Sequence, residues 1–237
     1  MKILISLVSF IGFLLVVLPG PLYKYGIIDL GTAFAGFTLG MMAGGAALIM
    51  LLLQALFKRQ TLTLGSAIIT VMFSAIAIIM PLSMLSKAKS VPPIHDISTD
   101  LKNPPEFVAI IPLRADAPNP ATYAGEDTAE QQREAYPELQ TLTYSQSKSE
   151  LVEASEQAVN NLGWELVNSD ASAGIIEATD TTVWFGFKDD IVMRINDGGI
   201  ERLVDIRSKS RIGKSDLGKN AERIHAFIKE LDDVLVE

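Results

Sequence analysis

The alternation of apolar and polar positions changes character near residue 90. Before it the chain is built from long uncharged apolar runs. After it come short alternations and one-sided stripes. The run from Ile3 to Leu18 meets Pro19-Gly20-Pro21, and two longer runs flank Lys58-Arg59-Gln60-Thr61. About 20 apolar residues at 1.5 Å each cross about 30 Å of hydrocarbon, so residues 1–86 are expected to hold three transmembrane helices at about 3–22, 32–57 and 62–85. Four polar residues between the second and third allow only a tight helical hairpin. No small-x-small cleavage site follows the first run, which therefore reads as an uncleaved anchor and not a signal peptide.

Residues 87–93 form a linker that Pro92-Pro93 holds extended, and residues 94–237 form a soluble domain. Phe107 to Leu113 predicts a strand broken at Pro112, suited to an edge. Residues 114–137 predict a loop with helical turns near Ala129 to Ala135. Ser147 with Glu150 makes a capping box ahead of Leu151, Ala154, Ala158, Val159 and Leu162, and Gly163 ends that helix. Short strands are expected at 164–167, 174–179 and 190–195. Asn196-Asp197-Gly198-Gly199 turns the last of these into a long strand from Ile200 to about Ile212. A helix from Asp216 to about Val236 carries the apolar stripe Leu217, Ala221, Ile224, Phe227, Ile228, Leu231 and Leu235. The expected fold is thus a three-helix transmembrane region followed by an α+β domain, a mainly antiparallel sheet with two helices packed on one face.

Charge sharpens the division. Residues 1–90 hold six Lys/Arg against the single acid Asp29, leaving 14 of the 20 bases and 27 of the 28 acids to the remainder. A soluble cytosolic enzyme is excluded by the first part. Nucleic acid is disfavoured as a partner by the strong negative balance of the second. With no cysteine and only His95 and His225, no metal or cofactor site is expected. Lys2, Lys58 and Arg59 favour a cytoplasmic N-terminus and hairpin tip. That topology places the soluble domain in the periplasm, beyond a bacterial inner membrane. Gly36, Gly40 and Gly44, following Thr32 at four-residue intervals, form a helix-packing strip. Ser66, Thr70 and Ser74 answer it on the third span. Packing between spans two and three is favoured over oligomerisation. No ionisable side chain interrupts a span, which argues for an anchor and against a transport pathway.

The richest chemistry lies in Leu203 to Ile212. At a period of two, Asp205, Arg207, Lys209 and Arg211 share one face, and Val204, Ile206, Ser208 and Ser210 the other. Gly213-Lys214-Ser215 follows at the expected helix start. Arg207, Lys209, Arg211, Lys214 and Ser215 are therefore candidate anion ligands. The favoured alternative is a solvated ion network with Asp189, Asp190 and Glu177. Asp189, Asp190 and Asp205 are candidate acid/base groups, but neighbours in a strand point to opposite faces, so Asp189-Asp190 is read first as a turn start. His95 with Asp96, Ser98 and Asp100 is read as an Asx-type turn or strand cap, and His225 as a boundary residue. Trp184-Phe185-Gly186-Phe187 is read as core or as a lip at the membrane surface.

The segments Pro92 to Asp100, Pro104-Pro105-Glu106-Phe107, Ala135-Tyr136-Pro137, Gly163-Trp164, Phe187 to Asp190 and above all Val204 to Ile224 resemble the bacterial and plastid domain-of-unknown-function family 1499. The resemblance spans nearly all of residues 91–237 and excludes the membrane spans. It implies an envelope-associated or lumenal domain with no established activity, cofactor or catalytic residues. The expected function is a non-catalytic binding or accessory domain, integral to the membrane, for an anionic envelope component or partner protein. The alternatives are a hydrolase-like enzyme acting on a lipid or cell-wall substrate and a scaffold subunit of a membrane complex.

Overall fold

A computed structural model describes residues 2–236. Two compact units emerge: one runs through Lys89 and takes in Val183–Gly186, and the other comprises Ser90–Thr182 and the chain from Phe187 onward.

The first unit contains α1 (Lys2–Val17), α2 (Pro19–Lys24), α3 (Leu30–Phe57) and α4 (Leu64–Ser90). Pro19 sits where a helix tolerates a missing N–H, at the start of α2, so α1 and α2 together make one 23-residue apolar stretch. Three helical segments, Lys2–Lys24, Leu30–Phe57 and Leu64–Ser90, are long and apolar enough to cross a membrane. Asp29 caps α3, its Oδ1 accepting from the Thr32 amide at 2.9 Å. The small-residue strip of α3 meets two helices. A Cβ at Gly40 would lie 2.6 Å from Val16 Cγ2 and 2.8 Å from the Gly12 carbonyl of α1, and one at Gly36 would lie 2.9 Å from the Leu15 carbonyl. Gly44 faces Ala77 and Ser74 of α4. The hydroxyl of Thr70 pairs with Ser6 of α1 at 3.3 Å. Close backbone approach thus ties α3 to α1 as well as to α4. Within this unit Trp184 Nε1 donates to the Val17 carbonyl at 3.1 Å, and its ring stacks on Phe37.

In the second unit the elements are β1 (Asp96–Ser98), α5 (Glu126–Ala135), β2 (Leu142–Tyr144), α6 (Lys148–Asn161), β3 (Glu165–Asp170), β4 (Ile175–Thr181), β5 (Lys188–Asp197), β6 (Arg202–Ser210) and α7 (Lys219–Val236). The antiparallel sheet has the order β1-β6-β5-β4-β3, and β2 pairs with the other half of the β6 edge. Ser147 and Glu150 close the expected capping box at the start of α6. α6 and α7 cover one sheet face. Ile176, Ala178, Ile191, Met193, Ile195, Val204 and Ile206 meet Leu151, Val159, Ile224, Phe227 and Leu231 there. Burying a Leu, Ile or Phe side chain contributes about 1.5–3 kcal/mol each, so this layer is the main source of stability.

Four local expectations change. Phe107 to Leu113 is not a strand: Val108, Ala109 and Ile110 give their amides to the Glu177 carboxylate at 2.8, 2.7 and 3.3 Å, and Ile111–Arg114 tightens into a 3-10 turn. An amide spent on a side chain cannot join a ladder. Asp189 and Asp190 lie inside β5, not at a turn start. Asp96 to Ser98 is a strand, and only Asp100 makes the Asx turn, accepting from the amides of Lys102 and Asn103 at 3.0 Å each. The last helix begins at Lys219 and not at Asp216, because Leu217 (φ 59°) and Gly218 (φ 80°) occupy the left-handed region.

Candidate functional site

The sheet face opposite α6 and α7 is covered by the chain between Thr99 and Thr141. Its interior is charged. The register pairs Lys209 with Asp96 and Asp190, Arg207 with Ser98 and Val192, and Asp205 with Arg194. Asp205, Arg207, Lys209 and Arg211 therefore do share a face, as their alternation predicts. Most of that face is sealed: Arg207 and Lys209 are 1% and 0% exposed.

Each cation has an internal anion. Asp96 receives Arg207 through Nε at 2.8 Å and Nη2 at 2.9 Å, and Lys209 Nζ at 2.9 Å. The remaining donors go to carbonyls: Arg207 to Pro105 and Ala121, Lys209 to Thr122. Asp190 receives Arg211 through Nε at 2.8 Å and Nη2 at 2.7 Å, Arg114 Nη1 at 2.6 Å, and the Thr179 hydroxyl at 2.7 Å. Asp205 accepts from Arg194 at 2.8 Å, Thr141 at 2.7 Å and Thr99 at 3.3 Å. The Phe107 ring lies 4.9 Å from the Arg207 guanidinium carbon and 5.5 Å from that of Arg114. Burial pulls Lys209 and Arg114 below their ordinary pKa values, with Asp96 and Asp190 opposing the shift. Tyr123, beside Arg207, is pushed up to about 12 by burial and by the Asp96 charge.

Of the three carboxylates expected to pair with the stripe, only Asp190 does so. Glu177 binds backbone amides, and Asp189 points to the helix face, where Arg223 bonds it at 2.8 Å together with Asp180 at 2.8 Å. The network is buried and not solvated. Asp189, Asp190 and Asp205 have separate partners and do not converge on one point. Asp96, read from the sequence as part of a turn or strand cap, and Arg114, Arg194 and Arg223, which sequence reasoning did not select, complete these clusters. The bond from Arg207 to Asp96 spans 111 positions, beyond the reach of any local pattern.

At the strand-to-helix junction Asp216 takes the anion's place, accepting from the amides of Gly218 at 2.8 Å and Asn220 at 2.7 Å. Burial raises the Asp216 pKa. The Ser215 hydroxyl accepts from the Leu217 amide at 3.3 Å. Lys214 is exposed, and among the described residues no carboxylate pairs with it. His95 Nδ1 lies 3.4 Å from the Lys214 carbonyl, and burial lowers the His95 pKa. His225 is exposed on α7, 3.0 Å from Glu138. An open cleft of about 400 Å³ lies elsewhere, lined by Thr99, Asp100, Lys102, Arg133, Tyr136 and Thr141 among others. Two of its hydroxyls, on Thr99 and Thr141, are spent on Asp205. Among the described residues no group of three or more acidic or imidazole side chains is placed to hold a metal.

These features define a class: an antiparallel α+β domain with a salt-bridged second face, carried behind three membrane-length helices. The chain belongs to the family described as protein of unknown function (DUF1499), whose model matches residues 96–231. No curated protein matches it.

Proposed function

We propose that this chain is a membrane-anchored, non-catalytic binding or accessory domain of the bacterial envelope. Its soluble part sits on the periplasmic side of the inner membrane and engages an anionic envelope component or a partner protein. The observation carrying this reading is the division of labour among charges. Asp96, Asp190 and Asp205 and their cations are committed to one another in the interior, while Lys214 stands exposed beside Ser215. Arg211, whose side chain is 16% exposed, lies at the edge of the network, and Asn119 ties the Lys214 turn to it by donating to the Ser210 and Gly213 carbonyls at 3.1 and 2.9 Å. Buried pairs of this kind fix geometry and are poorly placed for turnover, since a general base must reach the proton it removes.

The test uses the full chain in detergent. Its co-purifying lipids and proteins are identified, and the wild type and Lys214→Ala are titrated with anionic vesicles over a range of salt. Retention of an anionic lipid, glycan or defined protein, lost in Lys214→Ala and weakened by salt, supports the reading. A retained set identical to that of an unrelated three-span protein would overturn it.

A further inference from the structure

The layer over the charged sheet face has an apolar outer surface. Phe107 and Ile110 turn inward against Val192, which leaves Val108, Ile111 and Leu113 outward at 60%, 52% and 51% exposure. Single exposed apolar side chains are ordinary; three within six residues form a patch that calls for an apolar neighbour. Much of its backbone is already bonded within the domain. The amides of Val108, Ala109 and Ile110 go to Glu177, the Leu113 amide bonds the Ile110 carbonyl at 2.9 Å, and the Leu113 carbonyl receives Arg211 Nη1 at 2.9 Å. Amides bonded within the domain ask no hydrogen bond of an apolar neighbour, so this face can meet lipid chains at low desolvation cost.

Position points the same way. α4 ends at Ser90 and β1 begins at Asp96. The five intervening residues span at most about 18 Å when fully extended. β1 pairs with the last residues of β6, where the Ser210 amide bonds the His95 carbonyl at 3.0 Å. The Ile111–Arg114 turn is clamped to that same end of the sheet, with Arg114 bonding the carbonyls of Lys209 at 3.2 Å and Ser210 at 3.1 Å. The apolar turn therefore lies at the end of the domain through which the chain arrives from its last span.

We infer that the Val108–Leu113 segment is a lipid-contacting surface, with Ile111 and Leu113 seated in the interfacial region of the bilayer that holds the spans. The inference rests on the anchoring of the chain by its spans and is independent of the anion reading at Lys214.

The absence of cysteine makes the test direct. Ile111→Cys, Leu113→Cys, Leu52→Cys and Ile200→Cys are made singly in the full chain, labelled with an environment-sensitive fluorophore, and placed in phospholipid nanodiscs containing nitroxide-labelled lipid. Leu52 is exposed on α3, and Ile200 is 95% exposed in the β5–β6 turn at the opposite end of the sheet. Labels at 111 and 113 are expected to be quenched at least about twofold more by nitroxide lipid than the label at 200, as for side chains at the headgroup boundary. Quenching at 52 alone overturns the inference and leaves the anchor standing. No quenching at 52 overturns the anchor and the inference together. Labels at 111 and 113 shielded from both nitroxide lipid and aqueous iodide would reveal a protein cover, and this also refutes lipid contact.

Discussion

Asp96→Asn isolates the electrostatic role of the buried network. The carboxylate is fully buried and receives three bonds from cations together with the Ala124 amide at 3.0 Å. Asparagine keeps the shape but offers a single oxygen. Placed toward Lys209 and Ala124, that oxygen leaves its amide NH2 facing Arg207 Nε; flipped, it leaves the NH2 facing Arg207 Nη2, Lys209 and Ala124. Neither orientation avoids setting donor against donor, and both leave two buried cations without an anion. Breaking a buried pair from one side costs about 3–5 kcal/mol. The assay is urea unfolding of the full chain in nanodiscs, urea being uncharged. Trp164 fluorescence, in a background where Trp184 is Phe, reports the core because its ring stacks on Phe227 with centroids 6.1 Å apart. At a slope of about 2 kcal/mol per M, the midpoint should fall by about 2 M. Lys209→Met in the Asp96→Asn background should recover part of this loss, giving a coupling above about 1 kcal/mol. The pH dependence has a fixed sign. Because the folded pKa of Lys209 lies below its ordinary value, the unfolded chain binds more protons in that window, and stability rises with pH. Removing the Asp96 charge lowers the folded value further, so the deficit of Asp96→Asn should shrink as pH rises toward the wild-type folded value. A midpoint within about 0.5 M of wild type, or strict additivity with Lys209→Met, would refute the reasoning.

Glu177→Gln, which loses the charge holding three amides of the Val108–Ile110 segment, should cost about 2–3 kcal/mol. Hydrogen exchange there should accelerate selectively, and unchanged protection would contradict this role. Ser147→Ala should cost about 1 kcal/mol by removing half of the α6 capping box, read as a small urea-midpoint shift with no change in slope. His95 has a folded pKa below its ordinary 6.5, so its contribution to stability is full above pH 6.5 and is lost as pH falls through the folded value. His95→Gln should flatten the unfolding profile below pH 6.5, whereas an unchanged acid limb would exclude His95 as its source. Gly40→Val should disrupt the approach of α1 to α3, where even a Cβ meets Val16 and the Gly12 carbonyl, and should lower the thermal resistance of the helical unit.

The elements that sequence periodicity recovered are those whose stabilising contacts repeat locally. The α6 capping box is closed within four residues, and the β5–β6 hairpin turns through Gly198 and Gly199. The three long helices follow from run length alone. β2 has only three residues, and its place is set by Val204, Leu203 and Arg202 about 60 positions away, so no local signal marks it. The failure at Phe107 to Leu113 has the same origin. An apolar run of strand length was diverted by one distant carboxylate, Glu177, which took its amides. The alternation in β6 gave the correct face for Asp205, Arg207, Lys209 and Arg211 but not its environment, because period two distinguishes two faces without saying which is wet. Val192 and Ile175 were the available clue, since apolar side chains on the face of Arg207 favour a cover over it.

Double-sided burial also bears on how this domain can work. A sheet whose second face is held by ion pairs is costly to open by parts, since exposing one member of a cluster leaves its partner charged and unsolvated. The pairs on the loop face join Asp96 near the chain's entry, the Arg114 turn and the centre of the sheet. The helix face is tied to α7 through Arg223. Of the peripheral features, the Lys214 turn alone can move without exposing a buried charge, because the 108–113 segment is held on Glu177 and Arg114 and the Thr99–Thr141 cleft on Asp205. Under the proposed binding function the domain would move little on engaging a partner, and hydrogen exchange in β5 and β6 should be unchanged by binding while the Lys214 turn slows.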